Sequence, residues 1–256
     1  MTEYFIYTLT SAAFVAIASG LIGSFLVLKK MTLMSDALSH VALPGIALGI
    51  LFQFEPILGG LAFLFLSIFL VWGIENKTKL ATESITGVLF VTALAVGSLL
   101  ISQNELLEAF FGNVESISPA QLAIQTVIAL GIIVVVVRNF KPLILVSIAP
   151  DLSYSEKISR VKTELLLLVL IALTISIGIG FVGVLLMSAL SIIPAVTARN
   201  LSHNLKTYVF WSVIIAVVSL LGGIIVSHTT GIMNSGIATV LINSFFFLIS
   251  LFRIKK

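Results

Sequence analysis

From Phe5 to Leu28 the chain carries no charged side chain, and apolar stretches of similar character recur to its end. As a helix rising 1.5 Å per residue, such a run is long enough to cross a hydrocarbon core of about 30 Å. Charges and turn residues divide the sequence into nine predicted spans, at about 5–28, 33–53, 57–74, 85–102, 119–137, 164–179, 181–198, 207–227 and 235–252. The sixth and seventh are short and meet at Gly178-Ile179-Gly180. One span followed by a re-entrant segment, eight spans in all, is the competing layout there. Composition agrees with a membrane protein: 59% of residues are hydrophobic and 10% charged, with a mean hydropathy of +1.21, whereas soluble chains are about a quarter charged. The expected fold is an all-α polytopic membrane protein in the cell membrane, a single domain over residues 1–256 with no internal repeat.

The basic residues orient these spans. Met1-Thr2-Glu3 lacks the basic start of a cleaved signal peptide, and Lys29 and Lys30 follow the first apolar run. This is the pattern of a retained span with its N-terminus outside. With Lys29 and Lys30 in the cytoplasm, all fourteen basic residues fall on that side: Lys29, Lys30, Lys77, Lys79, Arg138 to Lys162, Arg199, Lys206, Arg253, Lys255 and Lys256. The opposite loops hold Glu3, Glu55, Glu105, Glu108 and Glu115 and no basic residue. The C-terminus is then cytoplasmic. The outer segment 103–118, with Leu106, Leu107, Phe110 and Phe111 among acids, is suited either to cap an entrance or to form an ordinary loop.

Away from the span ends, two ionisable side chains with charge near neutral pH lie inside the membrane, Asp36 and His40. They are four residues apart and share one face of a helix. A carboxylate at membrane depth is costly unless paired or hydrated, which marks a functional residue. Carboxylate oxygen and imidazole nitrogen both bind zinc and harder divalent ions such as manganese. Interhelical hydrogen bonding is the other role open to the pair. Pro44 has no N–H, which leaves the His40 carbonyl without its usual helical partner, beside Gly45. Ser35, Ser39, Pro44 and Pro194 are candidates to line a polar path. His203 reads as a solvated loop residue and His228 as an interfacial one. Cysteine is absent, so thiolate ligands and cysteine nucleophiles are excluded. The Gly-x-x-x-x-Gly-Lys-Ser/Thr phosphate loop, His-Glu-x-x-His and Gly-x-Ser-x-Gly are absent too, so the chain is expected to be no enzyme, with no cofactor of its own.

Three stretches resemble the zinc/manganese (ABC-3 type) permease family of ATP-binding-cassette importers. The most specific is Leu33-Met34-Ser35-Asp36-Ala37-Leu38-Ser39-His40-Val41-Ala42-Leu43-Pro44-Gly45; the second runs from Phe181 to Leu190 and on through Ile192 to Arg199. The third, Gly236-Ile237-Ala238-Thr239-Val240-Leu241, departs from the glycine- and proline-richer pattern usual in the family and carries no functional weight here. The resemblance implies that Asp36 and His40 are transient ligands on the metal path, with zinc expected ahead of manganese and then iron. It also implies a second permease copy as a homodimer, two cytoplasmic ATPases that bind ATP, and an external metal-binding delivery protein; lipid is the only other partner, and no nucleic acid is expected. The ATPase contact falls in the cytoplasmic loop 139–163, on Pro150, Asp151, Ser153, Glu156 and Lys157. Within it Ser153-Tyr154-Ser155-Glu156 predicts a capping box that opens a short helix running to Lys162. The first alternative is a secondary transporter driven by an ion gradient, which the same acid, histidine and prolines would suit.

Overall fold

A backbone group in hydrocarbon has no water to bond to, so each apolar stretch must satisfy its N–H and C=O groups within itself, as a helix. The computed structural model describes residues 2–78, 80–100, 110–111, 117–231 and 233–252. In order the helices are α1 (Thr2–Leu28), α2 (Thr32–Leu51), α3 (Pro56–Thr78), α4 (Thr82–Leu100), α5 (Pro119–Arg138), α6 (Phe140–Ile148), α7 (Pro150–Ser155), α8 (Arg160–Val182), α9 (Met187–Leu201), α10 (Leu205–Thr230) and α11 (Ser235–Leu251). No strand occurs among the described residues. Seven helices, α1 to α5, α8 and α10, are long and apolar enough to cross a membrane, and α11 is a shorter apolar one. The chain is therefore an all-helical, multi-pass membrane protein.

Burial separates an interior from a periphery. In α1, α2 and α8, 72% of the most apolar window is buried, against 22% in α4 and 28% in α5. Helices in lipid gain little from hiding leucine, so they associate by close packing at small residues. Gly23 of α1 lies so near the Ser191 carbonyl of α9 that a Cβ would collide with it. Gly45 of α2 and Gly59 of α3 face each other in the same way, backbone against backbone. Buried hydroxyls reinforce these crossings: Ser212 Oγ of α10 donates to the Gly20 carbonyl of α1 at 2.7 Å, and Tyr208 Oη donates to the Ser24 carbonyl at 3.1 Å.

Contacts near the helix termini sort to two ends. At one end Lys29 pairs with Glu164 at 2.9 Å, Arg160 reaches the same carboxylate at 3.2 Å, and Asn200 donates to Ser250 at 3.0 Å. At the other, Tyr4 Oη donates to the Ile117 carbonyl, Gln121 Nε2 donates to Glu55 at 2.8 Å, and Phe5 stacks on His228 at 4.3 Å. Lys29, Lys30, Lys157 and Arg160 gather at the first end, around Glu164.

Two local expectations are corrected. The break predicted at Gly178 to Gly180 lies farther on: α8 continues to Val182 and stops where Gly183 takes φ 82°, a conformation that disfavours side-chain-bearing residues. The helix predicted to open at Ser153 and run to Lys162 instead spans Pro150–Ser155, with Ser153 inside it. Pro150, with φ preset and no N–H to satisfy, starts α7. The buried Ser153 hydroxyl donates back to the Pro150 carbonyl instead of capping. The chain then reverses at Lys157, φ 55°, and Ser159 caps α8 by accepting from the Lys162 N–H. Of the outer segment 103–118, Glu105, Leu106, Leu107, Glu108 and Glu115 lie outside the described residues.

Gly45→Leu should wedge α2 from α3. Overpacking of this kind costs roughly 1–3 kcal/mol, a fall of roughly 2–12 °C in the thermal unfolding midpoint of the purified protein. Gly73→Leu, where nothing lies within 4 Å of the added Cβ, should leave the midpoint in place.

Candidate functional site

Helix α2 carries Asp36 in its second turn and His40 in its third, and it runs through Pro44 without breaking. Their surroundings differ. Asp36 is half-buried, and its Oδ1 accepts a 2.9 Å hydrogen bond from Ser188 Oγ in the first turn of α9. His40 is buried, and its Nδ1 has no hydrogen-bond partner. Two rings meet the imidazole edge to face: Phe90 of α4, centroids 5.1 Å apart, and Phe110, 6.4 Å apart. The interhelical role therefore belongs to Asp36 alone, and Asp36 and His40 do not bond to each other. An orphaned polar atom in such a place is unfavourable by about 1–3 kcal/mol. The imidazole keeps a nitrogen in reserve for a further partner.

The other path candidates separate. Ser39 Oγ donates to the Ser35 carbonyl at 2.8 Å, which commits it to its own helix, whereas the fully buried Ser35 hydroxyl has no partner. Gly97 of α4 comes close to Pro44, so α4 covers the proline. Pro194 is buried in α9, six residues beyond Ser188 or about 9 Å along the helix, and no contact joins it to Asp36. Pro150, Asp151, Ser153, Glu156 and Lys157 form a separate group at the basic end, where Glu156 pairs with Lys141 of α6 at 2.7 Å. His203 and His228 are exposed.

Further contacts draw the neighbouring segments to the same place. Leu185 N–H donates to the Phe110 carbonyl at 3.1 Å, and Ser235 Oγ donates to the Phe181 carbonyl at 2.9 Å. Gly236 lies against the backbones of Val182 and Phe111 closely enough to exclude a Cβ. The end of α8, the start of α9, residues 110–111 and the start of α11 thus meet one another, and Ser188 and Phe110 of this group reach the α2 pair. Ser188 and Phe90 were not singled out from the sequence. Ser188 lies inside the second matching stretch, yet nothing in its spacing relates it to an acid 152 residues earlier. Among the described residues no three of His, Asp or Glu come together in a way that could hold a metal ion.

The model of the ABC 3 transport family matches residues 1–254. The chain belongs to that family. Over its full length it is 30% identical to the high-affinity zinc uptake system membrane protein ZnuB of Haemophilus influenzae, covering 100% of both chains. It is also 30% identical to the manganese import system permease protein ScaB of Streptococcus parasanguinis, over 97% of this chain and 90% of that one. Among solved structures it resembles PsaBC from Streptococcus pneumoniae in complex with Fab, with a TM-score of 0.85 and 27% identity over 97% of this chain and 91% of that one. As an ABC 3 family member with seven long apolar helices, the chain is a multi-pass permease of the cell membrane and not an enzyme. Asp36, His40, Ser188 and Ser235 all lie within the matched region of the ABC 3 family.

The burial of the histidines is open to direct measurement. Timed diethylpyrocarbonate modification of the purified protein, followed by mass spectrometry, should label His203 and His228 early and His40 last. Phe90→Ala, which removes one wall, should speed His40 alone.

Proposed function

We propose that this chain is the permease subunit of an ATP-driven importer for a divalent transition metal, with zinc as cargo ahead of manganese and then iron. The observation that carries the proposal is the α2 pair: a half-buried carboxylate and a buried imidazole with an unpaired nitrogen, one turn apart inside a membrane helix. An oxygen and a nitrogen donor suit zinc and manganese alike, and the zinc and manganese relatives support both cargoes. Two donors hold an ion only briefly, as transport requires, since an ion bound in a complete cage does not leave.

In this scheme the nine crossings are α1 to α5 and α8 to α11, with the N-terminus outside and the basic end in the cytoplasm. Two copies of the chain enclose the path, and a delivery protein hands the metal over from outside. Two ATPases bind ATP and dock on the segment from Pro150 to Lys157. That segment is built to transmit force. Ser153 anchors it in the protein, Asp151, Glu156 and Lys157 are exposed for contact, and Glu156–Lys141 ties it to α6. Closure of the ATPases then switches access from outside to inside.

The test is uptake by proteoliposomes that hold the permease, its ATPase and its delivery protein, with zinc, manganese and iron supplied separately. ATP-dependent uptake of one metal, lost in Asp36→Ala/His40→Ala at normal expression, is expected. Uptake driven by a proton gradient and indifferent to ATP would replace this scheme with a secondary transporter. Full uptake by the double variant would remove the pair from the path.

Orientation has its own check, because a chain without cysteine gives no background to thiol reagents. In intact cells an impermeant maleimide should label Glu55→Cys, and it should reach Lys206→Cys only after permeabilisation. The opposite pattern would invert the topology.

A further inference from the structure

We infer that Ser188 is a positioning residue for Asp36: its hydroxyl holds one carboxylate oxygen so that the other is presented to the cargo. This rests on the assignment of Asp36 to the metal path. Ser188 Oγ is the one hydrogen-bond donor to the Asp36 carboxylate among the described residues, at 2.9 Å. The bond joins α2 to α9, elements 152 residues apart in the chain, so it orients the carboxylate from outside its own helix.

The site of Ser188 fits this task. It is the second residue of α9, a 15-residue helix whose N-cap, Leu186, has no capping side chain. The first-turn N–H groups of such a helix lack internal partners and carry the positive end of its dipole, which favours an anion beside them. The start of α9 is itself fixed: the preceding turn is closed by Gly183 and tied through Leu185 to Phe110, one of the rings against His40. The oxygen held by Ser188 and the ring held by Phe110 are thus set by one piece of backbone, the turn 183–188.

A serine suits a transient site better than a lysine or arginine. It donates one hydrogen bond without adding a charge that would repel a divalent cation. With one oxygen occupied, the carboxylate offers the cargo a single oxygen, the mode that four-coordinate zinc accepts.

The test uses the complete reconstituted importer and compares Ser188→Ala, Ser188→Thr and Ser188→Cys, with Asp36→Ala alongside. A lost hydrogen bond to a charged group should raise the KM for zinc roughly tenfold in Ser188→Ala, with kcat changed much less. Ser188→Thr keeps the hydroxyl and should restore the wild-type KM. Ser188→Cys keeps the size but donates weakly, and should fall between them. A role in packing alone predicts the reverse order, since alanine fits the site more easily than threonine. A wild-type KM in Ser188→Ala, or a KM in Ser188→Thr as high as in Ser188→Ala, overturns the inference while loss of uptake in Asp36→Ala leaves the metal path standing. Normal uptake in Asp36→Ala would remove the path itself, and this inference with it.

Discussion

The bundle depends on close approach of backbones. Lipid tails are as apolar as leucine, so the packing of one helix on the next, and not the expulsion of water, holds the assembly together. Gly23 against Ser191 seats α9 on α1, and Gly45 against Gly59 seats α3 on α2. Gly236 against Val182 seats the start of α11 on the end of α8. Each contact works because a side chain is missing. They fix the separations within three pairs of helices, and the hydrogen bond between Ser188 and Asp36 joins α9 to α2.

The polar interior follows from this packing. Hydroxyls that donate to carbonyls of neighbouring helices, as from Ser212 to Gly20 and Ser235 to Phe181, bond groups already held at contact distance. Some buried groups have no such partner, among them the amides of Gln125 on α5 and Asn243 on α11 as well as His40 Nδ1. The three differ in setting. His40 lies one turn from a carboxylate in a ring-lined position, whereas Gln125 packs on Gly180 and no ionisable group is shown beside it. That contrast is why function is assigned to the α2 pair and not to each buried polar residue.

Much of this was legible in the sequence, for a simple reason. Length and hydropathy decide whether a segment spans a bilayer, and an acid within such a segment is costly, which singles out Asp36 and its neighbour His40 as candidates. Charge is costly to bury in lipid and collects at helix ends, as Lys29, Lys30, Lys157 and Arg160 do. What escaped was set by contacts between distant segments. Ser188 looked like any small residue of a helix until α9 was placed beside α2. Helix α8 ends a few residues beyond the glycines Gly178 and Gly180, whose spacing alone suggests a break. In the bundle the lack of a side chain at Gly178 makes room for Met187, and Gly183 supplies the turn. The Ser153 box failed because a proline three residues earlier had already begun the helix.

The link between α1 and α2 is three residues long, Lys29 to Met31, with Lys30 at φ 60° and Met31 N–H bonded back to the Leu26 carbonyl at 2.8 Å. A connection this short, with its central residue in the left-handed region, leaves almost no slack. Lys29 is also clamped to Glu164 at the foot of α8. The ends of α1, α2 and α8 that meet at this corner are therefore coupled. A displacement imposed on the foot of α8, which starts three residues beyond the turn at Lys157, arrives at the helix that carries Asp36 without passing through a flexible loop.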